Sequence, residues 1–155
     1  MKYDKLKDSI EKACEEEGVD INEIFCIPEH SLSEEIGQVE EYLGVRLPDS
    51  YRWFLETYGS GGMETFDFFG IEGGREDVAS CTVVYVTENY RKKGMEQTLV
   101  VIQDLGEYVR CIDTGQSDER GEAPIVNWSC HVNGKVVTEK DSFLNYFLEV
   151  LEDYI

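Results

Sequence analysis

No stretch of this 155-residue sequence approaches the roughly 20 continuous apolar residues needed to span a bilayer. The opening Met1-Lys2-Tyr3-Asp4-Lys5-Leu6 has no apolar signal-peptide core, so the chain is expected to stay in the cytosol. Paired cysteines are missing too. Cys14, Cys26, Cys81, Cys111 and Cys130 are odd in number, scattered and without a close-spaced pair, which argues against a disulfide framework or a zinc knuckle and predicts reduced, mostly buried thiols. Basic residues are scarce: 14 Lys and Arg face 33 Asp and Glu, so the formal charge is 14 − 33 = −19. That is far beyond the magnitude of roughly 2–8 that keeps a small domain soluble. A field of this sign repels nucleic acid and anionic membranes and speeds association with a basic protein surface. Solubility or adaptation to salt is the plainer reading of the charge, and a basic partner is the more specific one. The sequence has no internal repeat and no low-complexity tract.

What is present is a globular composition. Hydrophobic residues at 41% supply a core without disulfides or metals, and the length fits one domain over residues 1–155. From Tyr3 to about Glu17, Tyr3, Leu6, Ile10, Ala13 and Cys14 recur at spacings of three and four, which predicts an amphipathic helix closed by Gly18. Val19 to Ser33 reads as an irregular connection. A second helix is expected from about Ser33 to Leu43, with Ile36, Val39, Tyr42 and Leu43 inward and Gly44 ending it. Ser31 or Ser33 is its candidate cap, and Ser31 has Glu34 at capping-box spacing. Pro48 suits the first turn of a third helix, whose apolar face is Tyr51, Phe54, Leu55 and Tyr58 and whose stop is Gly59.

Beyond this point the pattern turns to sheet. Gly59-Ser60-Gly61-Gly62 reads as a turn, and Thr65 to Phe69 as a short aromatic strand. Asp77 to Lys93 carries both signals. The spacing of Val83, Val86 and Tyr90 ahead of Gly94 favours a helix over a strand. Thr98–Gln103 and Tyr108–Asp113 form a hairpin around Asp104-Leu105-Gly106-Glu107, and Pro124–Val132 is another strand with Ile125, Trp128 and Cys130 as core candidates. Asn133-Gly134 then turns the chain into a short returning strand over Lys135–Thr138. A last helix starts near Asp141, capped by Asp141 or Ser142, with Phe143, Phe147, Val150, Leu151 and Tyr154 on one face. N-terminal helices, a central mostly antiparallel sheet and a C-terminal helix make an α+β fold.

No catalytic constellation stands out. Cys130-His131 invites a nucleophile or metal reading, with Cys111 or His30 to complete it, but neighbours on a strand point to opposite faces, and a buried Cys beside an exposed His is the expectation. The glycine-rich Gly59–Gly62 and Gly70–Gly74 lack the Lys of a phosphate loop, and Asp113–Glu122 lacks the ligand order of an EF-hand. Neither a cofactor nor a metal is expected, and enzymatic activity is not.

The order of the pieces carries more than any one of them. A helix ending Glu40-Glu41-Tyr42-Leu43-Gly44 leads into Val45-Arg46-Leu47-Pro48-Asp49-Ser50-Tyr51, then Trp53-Phe54-Leu55, Tyr58-Gly59 and Gly61-Gly62 before an aromatic strand. This resembles the SUKH superfamily, the Smi/Knr type of domain. The likeness continues through Thr87–Arg91, Val100–Ile102 and Ser142–Leu148, from about Leu32 to the C-terminus. Leu47, Pro48, Tyr51, Phe54, Leu55, Gly61 and Gly62 match its hallmark and read as fold determinants. For bacterial members the resemblance implies an immunity protein that neutralises a polymorphic toxin, often a nuclease or deaminase. For eukaryotic members it implies a regulatory scaffold in cell-wall signalling. The partner expected here is a cognate toxin, a basic nuclease, with no nucleic acid or membrane binding. An acidic surface would imitate nucleic acid and occlude the toxin's cleft. The candidate contacts are acids on the sheet-side loops, Glu72, Glu76, Asp77, Asp104, Glu107, Asp118, Glu119 and Glu122, with exposed aromatics as anchors.

Overall fold

The computed structural model describes residues 3–63, 66–72, 77–132 and 136–154. Helix α1 (Asp4–Glu16) buries Ile10 and Cys14, and Tyr3 stacks on Trp53 with 5.0 Å between ring centroids. The stretch expected to be irregular contains the one-turn helix α2 (Ile21–Ile24), opened by Asp20, whose carboxylate accepts the Asn22 N–H. Helix α3 (Ser33–Leu43) buries Ile36, Val39 and Leu43. Tyr42 does not join them and is 54% exposed. Consecutive helical residues lie about 100° apart, so a stripe holding Leu43 turns Tyr42 outward. The expected capping box is absent as well. Glu56 supplies the cap from across the fold, its Oε2 accepting the Leu32 N–H at 3.3 Å and its Oε1 the Ser33 hydroxyl at 2.7 Å. A carboxylate at a helix N-terminus also meets the positive end of the dipole.

Helix α4 (Asp49–Thr57) starts after Pro48, which sits just outside it with extended ψ of 151°. Tyr51, Phe54, Leu55 and Tyr58 are all buried. Phe54 is the hub. The rings of Phe25, Tyr51, Tyr58, Phe68, Phe143 and Phe147 lie 5.3–6.2 Å from it, the range of favourable edge and offset contacts.

Gly61 and Gly62, read from sequence as part of a turn, lie in strand β1 (Gly61–Met63), which pairs antiparallel with β2 (Phe66–Phe68). Gly61 also bridges Phe25. The predicted strand residue Thr65 lies outside the described residues. After a 3-10 turn at Val78–Ser80 comes helix α5 (Thr82–Arg91), so the helical spacing of that segment prevails over its β-branched content. Strands β3 (Leu99–Asp104), β4 (Val109–Asp113), β5 (Ile125–Trp128) and β6 (Val136–Lys140) form one antiparallel sheet in sequence order. Strand β5 stops at Trp128, short of the expected Val132, and Cys130–Val132 is a 3-10 turn. The expected Asn133-Gly134 turn lies outside the described residues. Helix α6 (Phe143–Tyr154) closes the chain, with Ser142 Oγ accepting the Asn145 N–H.

Both sheet faces are covered, which is why β3 and β4 are buried almost end to end. Val100, Ile102, Ile112 and Ile125 pack with Phe54, Phe143 and Phe147. On the other side Val101, Val109, Cys111, Val126 and Trp128 meet Val86 and Tyr90 of α5. The outer edge of β3 is also occupied. Its Val101 N–H donates to Thr87 Oγ1 at 3.0 Å, and its Ile102 carbonyl accepts the Phe69 N–H at 2.8 Å, which removes an edge open to pairing. Among the described residues no helix is long and apolar enough to cross a membrane.

Candidate partner-binding surface

The sheet-side acids do not form one surface. Asp104 and Glu107 sit at the β3–β4 turn, whereas Asp118, Glu119 and Glu122 lie in the β4–β5 loop at the other end of β4. At about 3.3 Å per residue, the five-residue β4 puts roughly 17 Å between the two groups. Glu72 and Asp77 stand apart again, ahead of α5, and Glu76 lies outside the described residues.

Most of these carboxylates are engaged by the protein's own backbone. Asp77 accepts the Ala79 N–H at 3.0 Å, Asp104 the Gly106 N–H at 3.0 Å and Asp118 the Arg120 N–H at 2.8 Å. Each is an Asp capturing the amide two residues on, the short side chain's usual way of shaping a turn. Asp104 also accepts the Tyr90 hydroxyl at 2.8 Å, and Glu72 accepts the Gly70 N–H at 3.0 Å. The Glu122 N–H donates to Asp118, which with the amide and guanidinium of Arg120 holds the Asp118 carboxyl below its usual value.

Glu122 is buried, and this corrects its assignment as a surface contact. Its Oε2 accepts the Ser50 hydroxyl at 2.7 Å and its Oε1 the Ser50 N–H at 3.2 Å, at the first turn of α4. With the Asp49 N–H donating to the Gly121 carbonyl, the β4–β5 loop is pinned to the α4 N-terminus. Of the eight candidates, Glu107 and Glu119 are exposed and accept no hydrogen bond through their carboxylates.

Cys130 and His131 are both exposed in their 3-10 turn, so the expected buried thiol is not found there and the strand argument for opposite faces does not hold. Cys26 is also exposed, whereas Cys14, Cys81 and Cys111 are buried. Burial pushes the Cys81 thiol up to about 11 and raises Cys14 and Cys111 as well, which holds all three protonated at neutral pH.

Sequence reasoning missed a cleft of about 930 Å³ on the helical side. Its lining comes from the stretch Phe25–His30 with Leu32 and Glu35, and from Gly59, Ser60, Ile71 and Glu72. Its walls are held by backbone. The Cys26 N–H donates to the Ser60 carbonyl at 2.9 Å. Gly59, at φ 75°, lies so near the Cys26 carbonyl oxygen that a Cβ would strike it, and a Cβ on Gly61 would come within 2.7 Å of the Ile24 carbonyl oxygen. Among the described residues the charged side chains on the cleft are Glu29, Glu35 and Glu72, beside His30, with no Lys or Arg in its lining. One sequence signal marks the region. Between Lys12 and Arg46 the chain carries ten acidic residues and no Lys or Arg.

The family model SUKH_5, described as SMI1-KNR4 cell-wall, matches residues 6–152. The match takes in α1 and α2 as well as the stretch from Leu32 onward.

Proposed function

The chain belongs to the SMI1-KNR4 family of the SUKH superfamily, and from that premise we propose that it is an immunity protein that binds and neutralises a cognate toxin. The family match over nearly the whole chain carries this reading. The charge of −19 gives it a mechanism. A nuclease holds its substrate's phosphates with basic side chains, so an acidic protein is drawn to that cleft from a distance and, once docked, excludes the substrate. Binding is then the whole activity. A chain pinned together as this one is, with the β4–β5 loop fixed to α4 and the β3 edge covered, loses little conformational freedom on docking.

Co-expression with the toxin encoded beside it is expected to rescue growth. The purified pair is expected to associate at a rate that falls steeply as salt rises, because screening shortens the reach of the field to roughly 8–10 Å at physiological ionic strength. Absence of both binding and protection removes the reading. The cell-wall wording of the matched family favours a second one, a regulatory scaffold that organises partners without inhibiting an enzyme. Genomic neighbourhood separates the two: an immunity gene directly follows a large toxin gene.

A further inference from the structure

We propose that the helical-side cleft is where the chain receives its partner, and that the occupant is a Lys- or Arg-bearing loop of the toxin. This rests on the immunity reading above and adds the contact face. The aliphatic stem of the incoming side chain lies along Ile27, Pro28, Leu32 and Ile71, and its cationic head meets Glu29 and Glu35. Long basic side chains bury an apolar stem and keep a charged tip, so a cleft with apolar walls and an acidic mouth is their complement.

Charge decides the class of occupant. Among the described residues no Lys or Arg competes for Glu29 or Glu35 within the cleft, and neither carboxylate has a hydrogen bond or ion pair of its own. Glu72, the third acid, already accepts the Gly70 N–H and serves to hold the wall. The cation is a protein side chain rather than a metal ion, because among the described residues no group of three or more His, Cys, Asp or Glu is arranged to hold a metal. The volume of about 930 Å³ accommodates several side chains, which suits a loop. The sheet-side acids offer no equivalent: they are divided between the two ends of β4, and most are bonded to their own turns.

The chain carries its own reporters. Cys26 lines the cleft, and Cys130, the other exposed thiol, lies beyond β5 at the end of the sheet where the β3–β4 turn sits. Alkylation by N-ethylmaleimide, followed by mass spectrometry, reads both rates on the unmodified protein. With a saturating amount of the toxin encoded beside it, Cys26 is expected to react at least tenfold more slowly and Cys130 at an unchanged rate. The shape-conserving double variant E29Q/E35Q is expected to raise the Kd at least tenfold and flatten its salt dependence. If the complex forms while Cys26 reacts at its free rate, or the double variant binds within twofold of the parent, the cleft assignment is overturned and the immunity reading stands. If the parent protein forms no complex with that toxin, the immunity reading itself falls, and the cleft assignment with it.

Discussion

The helical flank and the sheet-side loops are both rich in acid, but they use it differently. In the loops Asp77, Asp104 and Asp118 each accept an amide two residues on, so they fold turns. On the flank Glu40 and Glu56 also accept backbone amides, from Leu47 and Leu32, whereas Glu29 and Glu35 beside the cleft make no hydrogen bond or ion pair. Charge that shapes the molecule and charge left without a partner are thus separated by what each carboxylate meets, as the buried Glu122 and the exposed Glu119 of one loop show. A net charge read from composition cannot distinguish them.

The comparison breaks most completely if the core shared by the two regions is removed. Phe54→Ala empties the centre where α4, α6 and Phe68 of β2 meet, and a stability loss of about 3–5 kcal/mol is expected by urea denaturation. Glu122→Ala tests whether loop acid is structural. It leaves the buried Ser50 hydroxyl and amide without their acceptor, and a loss of about 2 kcal/mol is expected in the same assay. On the flank, Glu29→Gln and Glu35→Gln remove charge that makes no hydrogen bond or ion pair, and only the dipole of α3 favours Glu35, so the double variant should unfold within about 1 kcal/mol of the parent. A large loss there would erase the distinction.

The smallest effect is a pH dependence. The folded-state value of Asp118 is depressed by the Glu122 and Arg120 amides, so the folded loop binds fewer protons than the unfolded chain. Its contribution is complete above the ordinary value of 3.8 and is lost as pH falls through the lower folded value. The Glu122 and Arg120 amide resonances are expected to shift only below about pH 4. A midpoint at or above the ordinary carboxyl value would contradict the arrangement.

Much of the fold is legible in local pattern. Gly18, Gly44 and Gly59 each take positive φ where the periodic apolar runs stop, and the helical spacing of Val83, Val86 and Tyr90 outweighs their β-branched neighbours. What misled were features whose partners are remote. Glu122 reads as one more loop acid because Ser50 lies 72 positions away, and at the start of α3 the Ser31 hydroxyl that accepts the Ser33 N–H is joined by the remote Glu56. Cys130 reads as a strand residue because nothing local marks the end of β5. The cleft was missed because Phe25 to Leu32 has no period to follow, although the run without Lys or Arg between Lys12 and Arg46 was there to be seen.

The sequence by itself determined the α+β class, the order of the longer helices and the main antiparallel strands, and the sign of the field, because each is set by spacing or by composition. Only the tertiary structure decided which acids face outward. A carboxylate is turned inward or left free by what the folded chain brings beside it, and contacts such as Ser50 to Glu122 exist only once distant segments meet.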